Sequence, residues 1–163
     1  MKKATLLTII GFLIFKLSFG QANEKYSELI NEAWKLYETK EYLKSAEKYS
    51  EAFVASKDKG KSSDRYNAAC SWALANKVDS AFVQLFKIAK YDNYINYNHI
   101  TNDTDLTNLY LDKRWGEIVE LVKVNKEKEE ENYDKPLVSI LDTIYKEDKS
   151  KELRKNTAEN PKK

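Results

Sequence analysis

The stretch from Tyr66 to Asn93 constrains the fold of this chain more than any other, because its small and large apolar side chains are spaced as two closely packed helices require. Antiparallel helices approach to about 8–10 Å only where the side chains at the crossing are small. Ala69 and Ala81 are placed at such a crossing. Larger apolar residues recur around them at spacings of three and four, namely Trp72, Leu74, Phe82, Leu85, Phe86 and Ile88. The stretch therefore predicts a helical hairpin.

A short turn is predicted between the two helices of this hairpin. Asn76 can take the left-handed backbone conformation that ends a helix. Asp79 or Ser80 can then accept hydrogen bonds from the first amides of the second helix. The local sequence thus indicates a helix, a tight turn and a second helix.

A second copy of the pattern lies upstream. Ala33 and Ala69 are 36 residues apart, and so are Ser45 and Ala81. Both copies resemble tetratricopeptide repeats, whose period is about 34 residues; Lys40 stands where the family usually has a glycine. The resemblance implies an all-α fold in which two helical hairpins stack as a short α-solenoid. The alternative is a pair of amphipathic hairpins outside the family.

Residues 103–118 look like the closing element that follows such repeats in many bacterial proteins. The matching positions are Asp103, Asp105, Leu106, Leu109, Asp112, Arg114, Trp115 and Ile118. Asp103 and Asp112 each precede a helical pattern and can accept hydrogen bonds from its first free amides. The apolar residues can cover the end that a repeat stack leaves open. We therefore predict capping helices after the two hairpins.

The chain begins with the layout of a cleaved secretory signal. Lys2 and Lys3 form a basic start, and the stretch from Leu6 to Phe15 is mostly apolar but too short for a comfortable membrane span. Small residues precede Gln21 at the spacing of a cleavage site. We predict a secreted or periplasmic protein that begins at Gln21 and has no stable membrane insertion. An uncleaved anchor helix is the alternative.

Removal of the leader changes the charge balance. The full sequence has 28 basic and 26 acidic residues. Three of the lysines and none of the acids belong to residues 1–20, which leaves 25 basic against 26 acidic residues. A near-neutral surface with intermixed charges has no general attraction for nucleic acid. The charge balance therefore argues against nucleic acid as a partner.

No catalytic constellation or cofactor motif is recognisable in the sequence. Cys70 is the only cysteine and His99 the only histidine, so neither a histidine-based metal cluster nor a Cys-His pair is predicted. Cys70 is interpreted as a small buried apolar residue. Asp103, Asp105 and Asp112 lack the spacing of a calcium-binding loop, and helix capping explains them. We predict a non-enzymatic protein with no cofactor and no metal site.

The resemblance also implies a binding surface. In tetratricopeptide stacks the first helix of each hairpin lines a concave face, and the corresponding residues here are Asn31, Trp34, Tyr37, Tyr66 and Asn67. In family members that bind extended peptides, an asparagine at this position can hydrogen-bond the peptide backbone, and nearby aromatic residues add apolar contact area. The basic residues of a carboxylate clamp have no counterpart here. The resemblance therefore implies a protein or peptide partner at these five residues.

The C-terminal part differs in kind from the repeats. Leu137, Ile140 and Ile144 recur at helical spacing and predict a helix that ends near Asp148, whereas the polar composition of residues 151–163 predicts disorder. The segments are thus a signal peptide (1–20), a repeat domain with its cap (21–131), an amphipathic helix (132–150) and a tail (151–163). Two alternative functions stay open. The chain could be an accessory or truncated N-terminal part of a larger secreted enzyme, or a structural envelope protein.

Overall fold

The all-α class is confirmed by a computed structural model, which describes residues 23–131, 133 and 135–159. In these ranges every regular element is a helix. The predicted signal peptide, residues 1–20, and the predicted mature N-terminus at Gln21 lie outside the described residues.

Two helical hairpins come first in the chain. The first consists of α1 (residues 23–38) and α2 (Tyr42–Ala55), and the second of α3 (Ser62–Leu74) and α4 (Val78–Tyr91). They are followed by a short α5 (Tyr97–Asn102), a 3₁₀ helix (Thr104–Leu109), α6 (Lys113–Glu131) and α7 (Lys135–Glu159). The chain divides into two compact units, of which the first ends at Lys126 and the second begins at Glu127.

The turns inside the two hairpins are built in the same way. Lys40 and Asn76, which are 36 residues apart in the sequence, have left-handed backbone angles, with φ of 62° and 57°. The amides that follow them donate back across the turn to the carbonyls of Leu36 and Trp72, each with an N···O distance of 2.8 Å. This bonding satisfies carbonyls that a helix end leaves free. The predicted turn at Asn76 is confirmed. The same turn occurs at Lys40, 36 residues earlier, which is also the offset between the buried small residues.

The small residues predicted at the helix crossings are completely buried. Ala33, Ser45, Ala69 and Ala81 all have 0% relative exposure. Between the two hairpins, the Oγ atoms of Ser45 and Ser71 lie 3.0 Å apart. Ser45 Oγ also donates to the carbonyl of Ala33 at 2.8 Å, so its polar atom is paired although no water reaches it. The small residues are therefore buried inside the hairpins, as the pattern of side-chain sizes requires.

We expect Ala81→Leu to lower the free energy of unfolding by about 1–3 kcal/mol, because added methylene groups in a filled core force side chains and backbone apart. Ala81 packs in one buried cluster with Ala69 and Leu85. Lys77→Ala, on the exposed turn, is the control and should be nearly neutral. Chemical denaturation of both variants measures the difference, and equal midpoints would contradict the crossing at Ala81.

Side-chain capping occurs in the closing element but not in the second hairpin. Asp103 accepts a hydrogen bond from the Asp105 amide at 3.0 Å, and Asp112 accepts one from the Arg114 amide at 2.9 Å, as predicted. The hydrogen-bonded Arg114 side chain also lowers the pKa of Asp112 to about 2. The prediction that Asp79 or Ser80 caps α4 is wrong, because α4 begins at Val78 without a side-chain cap. Asp79 instead pairs with Arg114 at 2.8 Å.

The apolar residues of the closing element, with Ile100 of α5 and Val122 of α6, complete the core of the second hairpin. They share one buried cluster with residues of α3 and α4, and those with 0% exposure are Ile100, Leu106, Leu109, Ile118 and Val122. Trp115 is half-buried and packs against this cluster. The centroid of its ring lies 4.6 Å from that of Tyr110. The element therefore caps the second hairpin as predicted.

The last helix is longer than predicted. The sequence pattern placed its end near Asp148 and assigned residues 151–163 to a disordered tail, whereas α7 continues to Glu159. The apolar stripe does end early, but the residues that follow are rich in lysine, glutamate, leucine and arginine, which are strong helix formers. Residues 160–163 lie outside the described part of the chain.

Among the residues that the structure describes, no helix has both the length and the hydropathy needed to cross a bilayer.

Candidate functional site

The closing element contacts the helix faces that carry the predicted binding residues. The hydroxyl group of Tyr66 on α3 donates to Asp103 Oδ2 at 2.8 Å, and that of Tyr37 on α1 donates to Asp105 Oδ2. Asn108 Nδ2 donates to the carbonyl of Ala73 on α3. Residues of both first helices are therefore bonded to the cap, and their shared face is partly covered.

Tyr66 is a core residue. Its relative exposure is 4%, and its ring stacks on Tyr94 and on His99, with centroid distances of 5.5 and 4.5 Å. Burial, followed by the hydrogen bond to Asp103, raises the pKa of its phenol. The prediction that Tyr66 offers contact area to a partner is corrected, because the segment after α4 folds over the ring.

The two equivalent asparagines have different surroundings. Asn31 on α1 is exposed, whereas Asn67 on α3 is half-buried. The reason is the position of α3, which packs against α2, α4 and the 3₁₀ helix. Of the two asparagines, Asn31 is therefore the more open to a peptide backbone.

The aromatic residues of α1 form a surface pair. Trp34 and Tyr37 stack with ring centroids 5.5 Å apart and an interplanar angle of 16°. Trp34 is 46% exposed, and Tyr37 is half-buried with its ring edge on Tyr42. Of the five predicted site residues, Asn31 and Trp34 are exposed on α1, and Tyr37 lies half-buried beside them. We call these three residues the α1 surface.

A second group of functional side chains meets between α3 and the closing element. Cys70 Sγ lies 3.7 Å from Asp103 Oδ2, and His99 Nε2 lies 3.8 Å from the same oxygen. The sulfur of Cys70 and one carboxylate oxygen each of Asp103 and Asp105 lie within 4.8 Å of one another. We call Cys70, His99, Asp103 and Asp105 the Cys70 cluster.

Sequence reasoning missed the Cys70 cluster because it interpreted each member by itself. The sequence pattern assigns Cys70 to core packing and the two aspartates to helix capping. Cys70 is buried and Asp103 caps the 3₁₀ helix, but the side chain of Asp105 accepts from the hydroxyl of Tyr37 instead. Cys70 and Asp103 are 33 residues apart in the chain. No local spacing could have brought them together. Asp103 is the residue that contacts both Cys70 and His99.

The two carboxylates of the Cys70 cluster have no lysine or arginine paired with them among the described residues. No lysine or arginine in the described ranges forms an ion pair with Asp103 or Asp105; their side chains instead accept from tyrosine hydroxyls, from Cys70 and from an amide. Burial, and then the charge of Asp103, raise the pKa of the Cys70 thiol. A thiol without a lowered pKa is a poor nucleophile, so this geometry does not favour a catalytic cysteine.

Comparison with family models, with curated proteins and with solved structures finds no match to this chain. Membership of the tetratricopeptide family therefore stays a prediction from the residue pattern. The function has to be argued from the α1 surface and from the Cys70 cluster.

Proposed function

We propose that this protein is an exported, non-enzymatic scaffold of the tetratricopeptide type that binds a protein or an extended peptide through its α1 surface. The observation that carries the proposal is Trp34, a large aromatic ring that is held in place by Tyr37 and is nevertheless 46% exposed. Rigid, exposed aromatic rings are common anchors of protein interfaces, because they offer a large apolar area at a small cost in side-chain entropy.

The repeat character of the scaffold is supported by its two hairpins. They share the 36-residue offset of the buried Ala33 and Ala69, and the left-handed turns at Lys40 and Asn76 have the same offset. Repeats of this size stack in one direction and present a row of helix faces to partners. The cap covers part of that row on α3, so we place the binding surface on α1.

Asn31 gives the α1 surface a polar component. It lies one helical turn before Trp34, so the two side chains fall on one side of the helix. An exposed amide side chain can donate to a peptide carbonyl and accept from a peptide amide. The combination of Asn31 with Trp34 and Tyr37 suits an extended segment that presents both its backbone and an apolar side chain.

We expect Trp34→Ala to weaken binding of the partner by about 30-fold, which corresponds to the loss of about 2 kcal/mol at an aromatic anchor. The readout is quantitative mass spectrometry of the proteins that the purified protein captures from a native extract. Tyr91→Ala is the matched control, because Tyr91 is 82% exposed but lies on α4. Circular dichroism checks that both variants are folded.

Two outcomes of the capture experiment would count against the α1 surface. Capture that survives Trp34→Ala would place the binding site elsewhere. Equal losses in the Trp34 and Tyr91 variants would show that exposed aromatic rings bind extract proteins without specificity. Loss of the same proteins with Trp34→Ala alone would support the proposal.

The proposal of export rests on the basic start, the apolar stretch and the small residues before Gln21. We expect the exported protein to begin at Gln21. Measurement of the intact mass of the protein recovered from the exported fraction tests this directly. A protein that retains Met1 and is found in the membrane fraction would contradict cleavage and favour an uncleaved anchor.

A further inference from the structure

The Cys70 cluster contains the ligand types that transition metals prefer. A thiolate, an imidazole and carboxylate oxygens together suit a metal ion of intermediate softness such as Zn²⁺. The members come from two parts of the chain, since Cys70 lies on α3 and the other three lie on α5 and at the start of the 3₁₀ helix. The fold, and no local motif, brings them together.

We propose that Cys70, Asp103 and Asp105 bind a divalent metal ion of the zinc class, with His99 as the fourth ligand. The proposal goes beyond the binding function of the α1 surface and does not depend on it. It rests on the distances between the ligand atoms, on the burial of the sulfur, on the hydrogen bonds that hold the ligands and on the charge of the site.

The two distances that meet at Asp103 Oδ2 are close to those of a tetrahedral site. With metal bonds of about 2.3 Å to sulfur and about 2.0–2.2 Å to oxygen and nitrogen, neighbouring ligand atoms are about 3.3–3.7 Å apart. The Cys70 Sγ to Asp103 Oδ2 distance is 3.7 Å, and the His99 Nε2 to Asp103 Oδ2 distance is 3.8 Å. The three atoms of Cys70, Asp103 and Asp105 lie within 4.8 Å of one another. The His99 ring lies outside this group of three, so it has to turn toward Cys70 and Asp105 to complete the site.

The sulfur is buried and points into the cluster. The relative exposure of Cys70 is 4%, and the one hydrogen bond of its thiol within the described residues goes to Asp103, a member of the cluster itself. A cysteine that served only to fill apolar space would have no reason to face two carboxylates.

Hydrogen bonds from outside the cluster hold the ligands in place. Tyr66 donates to Asp103 and Tyr37 donates to Asp105. His99 Nδ1 lies 2.9 Å from the hydroxyl of Tyr94, and its ring stacks on Tyr66, so that Nε2 faces Asp103. Metal ligands are commonly oriented by such second partners, whose loss lowers metal affinity.

A cation would also balance the charge of the site. Two carboxylates approach each other without a lysine or arginine partner among the residues that the structure describes. A divalent ion neutralises both of them. The Cys70 thiol gives up its proton to solvent as the sulfur–metal bond forms, so one proton is released for each metal ion bound at this residue. Affinity should therefore rise with pH.

The test is a titration of the purified protein with Co²⁺, which substitutes for Zn²⁺ and absorbs visible light. We expect a saturable signal with one ion per protein, a sulfur-to-cobalt charge-transfer band, and loss of both when Zn²⁺ is added. Asp105→Asn should weaken Co²⁺ binding at least tenfold. Glu38→Gln, an exposed acid on α1, is the control and should bind as the wild type does.

Cys70→Ala separates metal binding from folding. It should remove the charge-transfer band and the rise in melting temperature that Zn²⁺ produces in the wild type, while circular dichroism shows a folded protein. If this variant does not fold, Cys70→Ser keeps the side-chain size and should likewise lose the band. A wild type without a saturable signal, or a charge-transfer band that persists in the Cys70 variants, would overturn the proposal.

Discussion

Tyr66→Ala is expected to lower the free energy of unfolding by about 3–5 kcal/mol, the usual cost of removing a buried aromatic side chain. Its ring fills the space between α3 and the segment after α4, where it stacks on Tyr94 and His99. The substitution removes these contacts together with the hydrogen bond to Asp103. Chemical denaturation followed by circular dichroism measures the effect.

Two further variants show which part of Tyr66 matters. Tyr66→Phe keeps the stacked ring and loses only the hydrogen bond, so it should cost about 1.5–3 kcal/mol, the range for a hydrogen bond to a charged acceptor. Tyr91→Ala removes a tyrosine that is 82% exposed and should change stability by less than about 0.5 kcal/mol. If the Tyr66→Ala and Tyr91→Ala variants were equally stable, Tyr66 would not be a core residue and would again be a candidate for the binding surface.

Leu106→Ala in the closing element is expected to cost about 2–5 kcal/mol. Leu106 has 0% exposure and belongs to the buried cluster that joins the cap to α3 and α4. Its removal leaves a cavity beneath the 3₁₀ helix and should expose apolar surface of the second hairpin. Denaturation and analytical ultracentrifugation together report the loss of stability and any self-association.

Leu111→Ala is the matched control for the cap. The same residue type occurs five positions later in the chain, but Leu111 is 100% exposed. The substitution should be neutral within about 0.5 kcal/mol. If both leucine variants were equally stable, the closing element would be a peripheral appendage and the second hairpin would be stable without it.

The hairpins and their turns were predictable because they depend on short-range rules. Side chains three and four residues apart share one face of a helix, so the sizes of Ala33, Ala69 and Ala81 mark where helices cross. The left-handed turn needs only one residue that tolerates a positive φ. Asn76 predicts this turn by its residue type. Lys40, which also has a positive φ, predicts it only through its equivalent position in the repeat. The end of α7 was misplaced because the apolar stripe ends before the helix-forming residues do.

The predicted site shows what the sequence alone could determine. The resemblance selected one side of the first helices, and on α1 Asn31 and Trp34 are exposed, with Tyr37 half-buried beside them. It treated α3 as equivalent to α1, although the residues after α4 fold over α3. The offset between the repeats identifies equivalent positions, but it does not predict which other part of the chain packs over them.

The burial of Tyr66 and the assembly of the Cys70 cluster depend on the tertiary structure alone. Tyr37 reaches Asp105 across 68 residues, and Cys70 reaches Asp103 across 33. Such contacts depend on how the closing element packs on α3, which is a property of summed apolar burial and carries no periodic signal in the chain. The sequence by itself determined two hairpins, their turns and the existence of a cap; the packing of that cap decided which side chains are open to a partner and which converge on one another.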